Sequence, residues 1–428
     1  VRTHGQALIE EEAGVPGHRP TIADASPEAS PLPGEGGGRL HVPLTDQPEH
    51  QRNGPLGGQP DGHRFLEAAW HEPLTTKEGW ARFVAAVPAE LSLLPARAWR
   101  LLGAQRRAVY DEARLDYHSR FITVATPAML AVSHTGRRNI LLNRHTASGR
   151  SGLVVSGGAT YGKTTAITQL GRTHELAVRG HLPPGSDRLP VVYITVPPAA
   201  TPRMIAVELA RFLGITPSAR RNITDVIDTV CAVLIDAHCD LVLVDEIHNI
   251  DLFSRHGADA SDTLKYFSER IPATFVYAGV DLTRTGIFDG TRGRQIAGRF
   301  SLLTIDAFGY TSTTQRQQWQ TLVASFENAL RLHRHRNGTL AGLADYLHQR
   351  TAGSIGSLAH LIRAGAIAAV LDGSEHLTRT SLNGITLDHA AERAATRAAP
   401  LPPRSRARRA PRRPSSAPTA AKTSASRA

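Results

Sequence analysis

The stretch Gly157-Gly-Ala-Thr-Tyr-Gly162-Lys163-Thr164 constrains this chain more than any other feature. An apolar run, Gly152–Ser156, leads into it, and a helical pattern, Lys163–Arg179, follows it. The spacing fits G-x-x-x-x-G-K-[ST], the signature of a phosphate-binding loop between a strand and a helix. Glycines let successive backbone N–H groups turn inward around phosphate oxygens at a helix N-terminus. Residue by residue, Gly157, Gly158, Ala159, Thr160, Tyr161 and Gly162 are expected to form the cradle for ATP. Lys163 reaches the β- and γ-phosphates, the Thr164 hydroxyl ligates Mg²⁺, and Thr165 caps the α-phosphate. Tyr161 stands where smaller residues are usual, either to shield the phosphates or to stack on something else.

A second motif, Leu241-Val-Leu-Val-Asp245-Glu246, reads as a buried parallel strand with two acids at its C-terminal end. Ligands bind at that end of a strand in an open α/β sheet. Asp245 is expected to hold Mg²⁺ through water, and Glu246 to act as the general base on the attacking water. An Asp-Glu pair is otherwise an ordinary solvated turn; its place after an apolar strand, downstream of the phosphate loop, argues for chemistry. Asp281, after the strand Thr274–Ala278, is either a γ-phosphate contact or part of a strand-to-loop turn. Arg299, just before the strand Ser301–Ile305, is expected to act in trans as an arginine finger on a neighbour's γ-phosphate, although arginine is common throughout this chain.

Around these motifs strands and helices alternate. Helical patterns fall at Lys77–Val87, Pro95–Leu115, Pro202–Leu213, Ile223–His238 and Ser261–Arg270, and a further strand at Val191–Val196. Such alternation implies α/β architecture, a parallel sheet sandwiched by helices. From Ser312 onward the pattern is wholly helical. The expected organisation is an N-terminal extension at 1–62, an α/β nucleotide-binding core with leading helices at 63–311, a helical lid at 312–397 and a basic tail at 398–428. Both terminal segments read as disordered: Gly, Pro and polar residues dominate and hydrophobic periodicity is absent.

The formal charge of +11 is uneven, with nine acids against four arginines in residues 1–62, and seven arginines plus Lys422 with no acid in 398–428. Positive charge points toward a polyanionic partner. The basic residues other than Lys77, Lys163, Lys265 and Lys422 are all arginine, which also fits a compositional bias of the genome. No apolar run approaches the ~20 residues needed to span a bilayer. The polar N-terminus reads as no secretory leader, so a cytoplasmic setting is expected. Cys231 and Cys239 have no companion ligands and read as reduced, buried thiols.

With these residues in place the chain resembles the TniB family of AAA+ ATPases, relatives of the IstB and TnsC transposition regulators. The resemblance runs from about Glu78 to Arg393 and is carried by Val244-Asp-Glu-Ile-His-Asn-Ile250, by Arg299-Phe300, and by Thr351-Ala-Gly-Ser-Ile-Gly-Ser-Leu-Ala-His-Leu-Ile362. It implies an AAA+ core with a helical lid, and an ATP-dependent homo-oligomer on double-stranded DNA that recruits or activates a DDE transposase. It also implies a DNA contact at Arg203 and the ATPase roles given above. Where many relatives carry a basic lid sensor this chain has Ser357, which puts fast hydrolysis in doubt unless Arg363 is presented instead. His248 and Asn249 are expected either to couple nucleotide state to DNA or a neighbour or, for Asn249, to cap a helix. Two other readings stand beside this one. A signalling or defence NTPase would act as a protein-binding switch but usually carries extra sensor domains. A DExH helicase fits Asp245-Glu-Ile-His248, yet the following residues lack the βα alternation of a second motor domain.

Overall fold

The computed structural model describes residues 72–88, 90–120, 123–183, 185–218, 222–250, 255–284 and 298–398. The expectations for residues 1–62 and for the tail after Ala398 lie outside the described residues. Among the described residues four helices precede the sheet: α1 (Lys77–Ala85), α2 (Ala96–Arg100), α3 (Ala104–Ser119) and α4 (Pro127–Asn143). Alternation follows, as β1 (Gly152–Gly157), α5 (Lys163–Arg179), β2 (Val191–Thr195), α6 (Pro202–Phe212), α7 (Ile223–Asp236) and β3 (Leu241–Asp245). A 3₁₀ turn at Ile247–Asn249 leads to α8 (Arg255–Arg270), β4 (Thr274–Val280) and β5 (Phe300–Ile305). The rest is helical: α9 (Thr313–Asn328), α10 (Ala344–Thr351), α11 (Ile355–Leu371), α12 (Arg379–Asn383) and α13 (His389–Ala398).

The five strands pair in the order β2–β3–β4–β1–β5, and every pairing is parallel. β1 and β3 are buried along their whole length. Helices cover both faces of such a sheet, so its inner strands read as unbroken apolar runs rather than as alternation. β5 is one of the two edge strands and exposes Ser301, Leu302 and Thr304. This is the parallel sheet with flanking helices expected for an AAA+ core. Leu153, Val155, Ile167, Leu243 and Val276 sit in its apolar centre, and a separate cluster around Trp319, Phe326, Leu358 and Leu361 holds the helices after β5 together. Burying each such side chain stabilises by ~1.5–3 kcal/mol.

Local sequence sets the helix starts. Thr126 and Thr201 accept hydrogen bonds from Met129 and Met204, each followed by proline in the first turn. Ser312 and Gln315 form a reciprocal capping box on α9. Two helical expectations change. The single helix read at Pro95–Leu115 is broken, because Gly103 is extended and starts α3 afresh. Helix α4 was not expected at all. Its buried face mixes Val132 and Ile140 with Gly136, Asn139 and Asn143, which blurs the apolar period. Those amides do backbone work: Asn139 donates to the Gly152 carbonyl at 2.8 Å, and Asn143 to that of Ser151 at 2.7 Å.

Helix α3, grouped in the sequence reading with residues 63–311, makes several buried polar contacts with the region after β5. Arg114 is fully buried and holds Glu375 with two hydrogen bonds of 2.6 and 2.7 Å, while the Tyr117 hydroxyl donates to the Ala329 carbonyl. Cys231 and Cys239 are free and buried, as expected, and burial pushes their thiols up to about 11 and about 12. No single helix among the described residues is long and apolar enough to cross a membrane.

Candidate nucleotide site

A cleft of about 830 Å³ opens at the C-terminal end of β1, where the glycine-rich loop bends into α5. Gly162 has φ +93°, a left-handed turn that favours glycine and lets α5 start at Lys163. A side-chain carbon on Gly158 would stand 2.5 Å from the ring of Tyr161. That contact explains the unusual tyrosine in part: its ring packs over the loop backbone, and only glycine leaves it room. Thr164 and Thr165 line the cleft with the rest of the loop, from Ala159 to Ala166.

The two acidic and phosphate-loop motifs meet. The Thr164 hydroxyl donates to Asp245 Oδ2 at 2.7 Å although β4 lies between their strands. Asp245 is buried; its Oδ2 also accepts from the Tyr193 hydroxyl at 3.1 Å, and its Oδ1 from the Glu246 N–H at 2.8 Å. Burial, then the charge of Asp245, pushes the Tyr193 phenol up, so it stays a donor. Tyr193 was missed by the sequence reading. Its signal was only its position near the end of β2, one strand over from Asp245.

Lys163 is buried and turned back on its own loop, donating to the Gly158 carbonyl at 2.7 Å. Burial lowers its pKa from the ordinary lysine range, against the charges of Glu246, Asp245 and Asp281. Asp281 therefore lies within electrostatic reach of Lys163. It sits in a left-handed turn at φ +45° after β4, the strand-to-loop turn expected there. Glu246 lines the cleft in a left-handed conformation, and His248 Nε2 stands 3.3 Å from its Oε2. The Asn249 side-chain amide donates to the Val196 carbonyl at 2.8 Å, and the start of the helix that follows lies outside the described residues.

The helices after β5 close the other side of the cleft with Phe326, Ile355, Gly356, His360, Leu387 and Asp388. Ser357 is buried and donates to Asp388 Oδ2 at 2.6 Å. Against the pull of burial, hydrogen bonds from Ser357 and backbone amides hold the Asp388 carboxyl below its usual range. Arg363 does not replace the missing basic sensor: its guanidinium donates to the carbonyls of His118 and Ser119 at the end of α3.

Arg299 lies far from its own cleft. Gly152 accepts Phe300 as its register partner at the opposite end of β1 from Gly157, about 17 Å away at ~3.3 Å per residue. Arg299 pairs with Glu269 at 3.4 Å on an exposed surface. Arg203, in the first turn of α6, donates to the Ser218 carbonyl at 3.2 Å.

Residues 131–310 match the family model described as the bacterial TniB protein. No curated protein matches the sequence. Among solved structures, the ORC2 protein of Aeropyrum pernix, in ADPNP and ADP complexes, is 16% identical over 68% of this chain and 72% of its own, with a TM-score of 0.48. The ORC1 protein of the same organism in complex with DNA is 16% identical over 65% of this chain and 67% of its own, with a TM-score of 0.47. The Cdc6p of Pyrobaculum aerophilum is 16% identical over 61% of this chain and 68% of its own, with a TM-score of 0.43.

Proposed function

We propose that this chain, whose residues 131–310 belong to the TniB family of AAA+ ATPases, binds and hydrolyses ATP, assembles as an oligomer on duplex DNA and regulates a DDE transposase. The observation that carries the ATPase part is the 2.7 Å hydrogen bond from Thr164 to Asp245 beside Lys163 and Glu246. It ties the buried carboxylate of Asp245 to a cleft lined by the phosphate loop, Lys163 and Glu246. The loop amides and Lys163 bind the phosphates, and Lys163 exchanges its bond to Gly158 for β- and γ-phosphate oxygens. Thr164 and Asp245 would hold Mg²⁺, which when bound neutralises phosphate charge. Glu246 orients and activates water. Arg299, too distant to serve its own cleft, stabilises the γ-phosphoryl charge in the neighbouring subunit.

The DNA and transposase parts rest on the family and on the charge. The acid-free stretch 398–428, with its seven arginines and Lys422, adds phosphate neutralisation, and Arg203 adds a contact at the sheet edge. The test is binding to duplex DNA across a salt series, with and without ATP. Binding that requires ATP supports the reading. Deleting 398–428 should flatten log K against log salt by ~0.9 per lost phosphate contact. Equal DNA binding with and without ATP would sink the nucleotide-dependent part.

A further inference from the structure

We propose that His248 is a positioning residue, one that fixes the carboxylate of Glu246 for water activation and ties it to the end of β4; this rests on the ATPase reading above.

Sheet geometry creates the place for it. β3 ends at Asp245, whereas β4 runs on to Val280, and the last paired residues of the two strands are Val244 and Tyr277. The Val280 N–H therefore extends past the neighbouring strand. The chain leaving β3 turns sharply there, with Glu246 at φ 57° and ψ 32° and the 3₁₀ turn closed by the Asn249 N–H on the Glu246 carbonyl. The turn lies directly on β4: a side-chain carbon on Gly279 would stand 3.1 Å from both the His248 nitrogen and Ile247 Cγ2. His248 then takes the place of a strand partner, its Nδ1 3.3 Å from the Val280 nitrogen.

That contact fixes the tautomer. A backbone N–H only donates, so Nδ1 is the acceptor and the proton of the neutral ring sits on Nε2. Nε2 is the atom that stands 3.3 Å from Glu246 Oε2. The imidazole thus stands beside one carboxylate oxygen, Oε2, close enough to restrict how the Glu246 side chain turns. An acid–base group oriented by a second group is the usual requirement for a competent general base.

The far end of the chain of contacts is the phosphate loop. Val280 is the register partner of Gly157, the first residue of that loop, and the Asp281 N–H donates to the Gly157 carbonyl at 3.4 Å. Gly157, Val280, His248 and Glu246 form one connected path from the phosphate cradle to the base.

The experiment uses the full chain. ATP turnover, ATP affinity and thermal stability are compared for wild type, His248→Ala, His248→Gln, Glu246→Gln and the double variant Glu246→Gln/His248→Ala. His248→Ala should keep ATP affinity and KM within about twofold and lower kcat by roughly 10-fold to 100-fold, the range seen for residues that orient a reacting group through another. His248→Gln, whose amide N–H still donates, should recover part of the rate. In the double variant the two losses should not add, because both act through one carboxylate. An unchanged or raised kcat in His248→Ala, or additive losses, would overturn the proposal. Nitrogen-15 NMR of the histidine rings without nucleotide gives an arm that does not depend on turnover. A neutral Nε2–H signal for His248 that moves in Glu246→Gln is expected, and an Nδ1–H tautomer would overturn the proposal. If wild type turns ATP over no faster than Glu246→Gln, the ATPase reading fails, and the NMR arm still decides the contact.

Discussion

The N–H of Gly356 donates to the carbonyl of Thr160 at 2.9 Å, so the first turn of α11 is bonded to the phosphate loop itself. Ser354, the N-cap of α11, adds a 2.8 Å contact between its hydroxyl and that of Thr160. The helical region is thus bonded directly to the glycine-rich loop.

Ser354→Ala removes the cap and half of this clasp. A stability loss of ~1 kcal/mol is expected from the cap alone. ATP affinity should fall as well, because the loop loses its external support. Thermal unfolding and nucleotide titration of the same variant check both; a loss of stability with unchanged affinity would mean that the clasp does not bear on nucleotide.

Arg114→Ala leaves Glu375 buried without its partner. Removing one member of a buried ion pair costs ~3–5 kcal/mol, far more than an exposed pair would. Glu375 also accepts the His333 N–H at 3.0 Å, so the damage should spread to the turn before α10. Denaturant unfolding measures it. Arg114→Met should recover much of the stability only when paired with Glu375→Leu.

Acid should weaken the same interface. Burial, with the Arg114 and Arg331 charges nearby, pushes the His118 imidazole down to about 4. Its Nε2 accepts the Arg331 N–H at 3.3 Å and so must stay unprotonated. Unfolded histidine titrates near 6.5, so between about 4 and 6.5 the unfolded chain binds the extra proton and stability falls as pH falls. The loss amounts to on the order of 3 kcal/mol for complete titration. Glu375, held below the usual glutamate range by Arg114 against the pull of burial, contributes a further loss only below about 4.5. Unfolding followed from pH 7 to 4 should show a smaller acid loss in His118→Gln than in wild type. Parallel curves would reject the assignment to His118.

Much of this site was legible before folding was considered. Lys163, Thr164, Asp245 and Glu246 lie in contiguous motifs whose spacing is set by local geometry, a strand ending in a turn. The bond between Thr164 and Asp245 was implied by chemistry, whereas Tyr193 and the Ser354 clasp were not. Those contacts depend on strand order and on where a distant helix docks. Helix α4 was illegible because Asn139 and Asn143 occupy its buried face to satisfy backbone groups of the β1 region. The buried role of Arg114 was hidden by a composition in which arginine is everywhere.

Arg299→Ala should bind ATP normally and fail to hydrolyse it, since the side chain would act on a neighbour's transition state. Mixing it with Lys163→Ala lets an interface combine the intact cleft of one variant with the intact arginine of the other. Partial recovery of turnover supports action in trans. Wild-type turnover in the single variant, or no recovery when mixed oligomers demonstrably form, would reduce Arg299 to the surface partner of Glu269.

The most direct measurement is ATP binding and turnover by the full chain beside Lys163→Ala and Glu246→Gln. The account expects Lys163→Ala to lose tight ATP binding, because no other cation in the loop replaces its charge at the β- and γ-phosphates. Glu246→Gln should bind ATP as wild type does and hydrolyse it at least ~100-fold more slowly. Wild-type affinity in Lys163→Ala, or unchanged turnover in Glu246→Gln, would contradict the assignment of this cleft as an ATPase site.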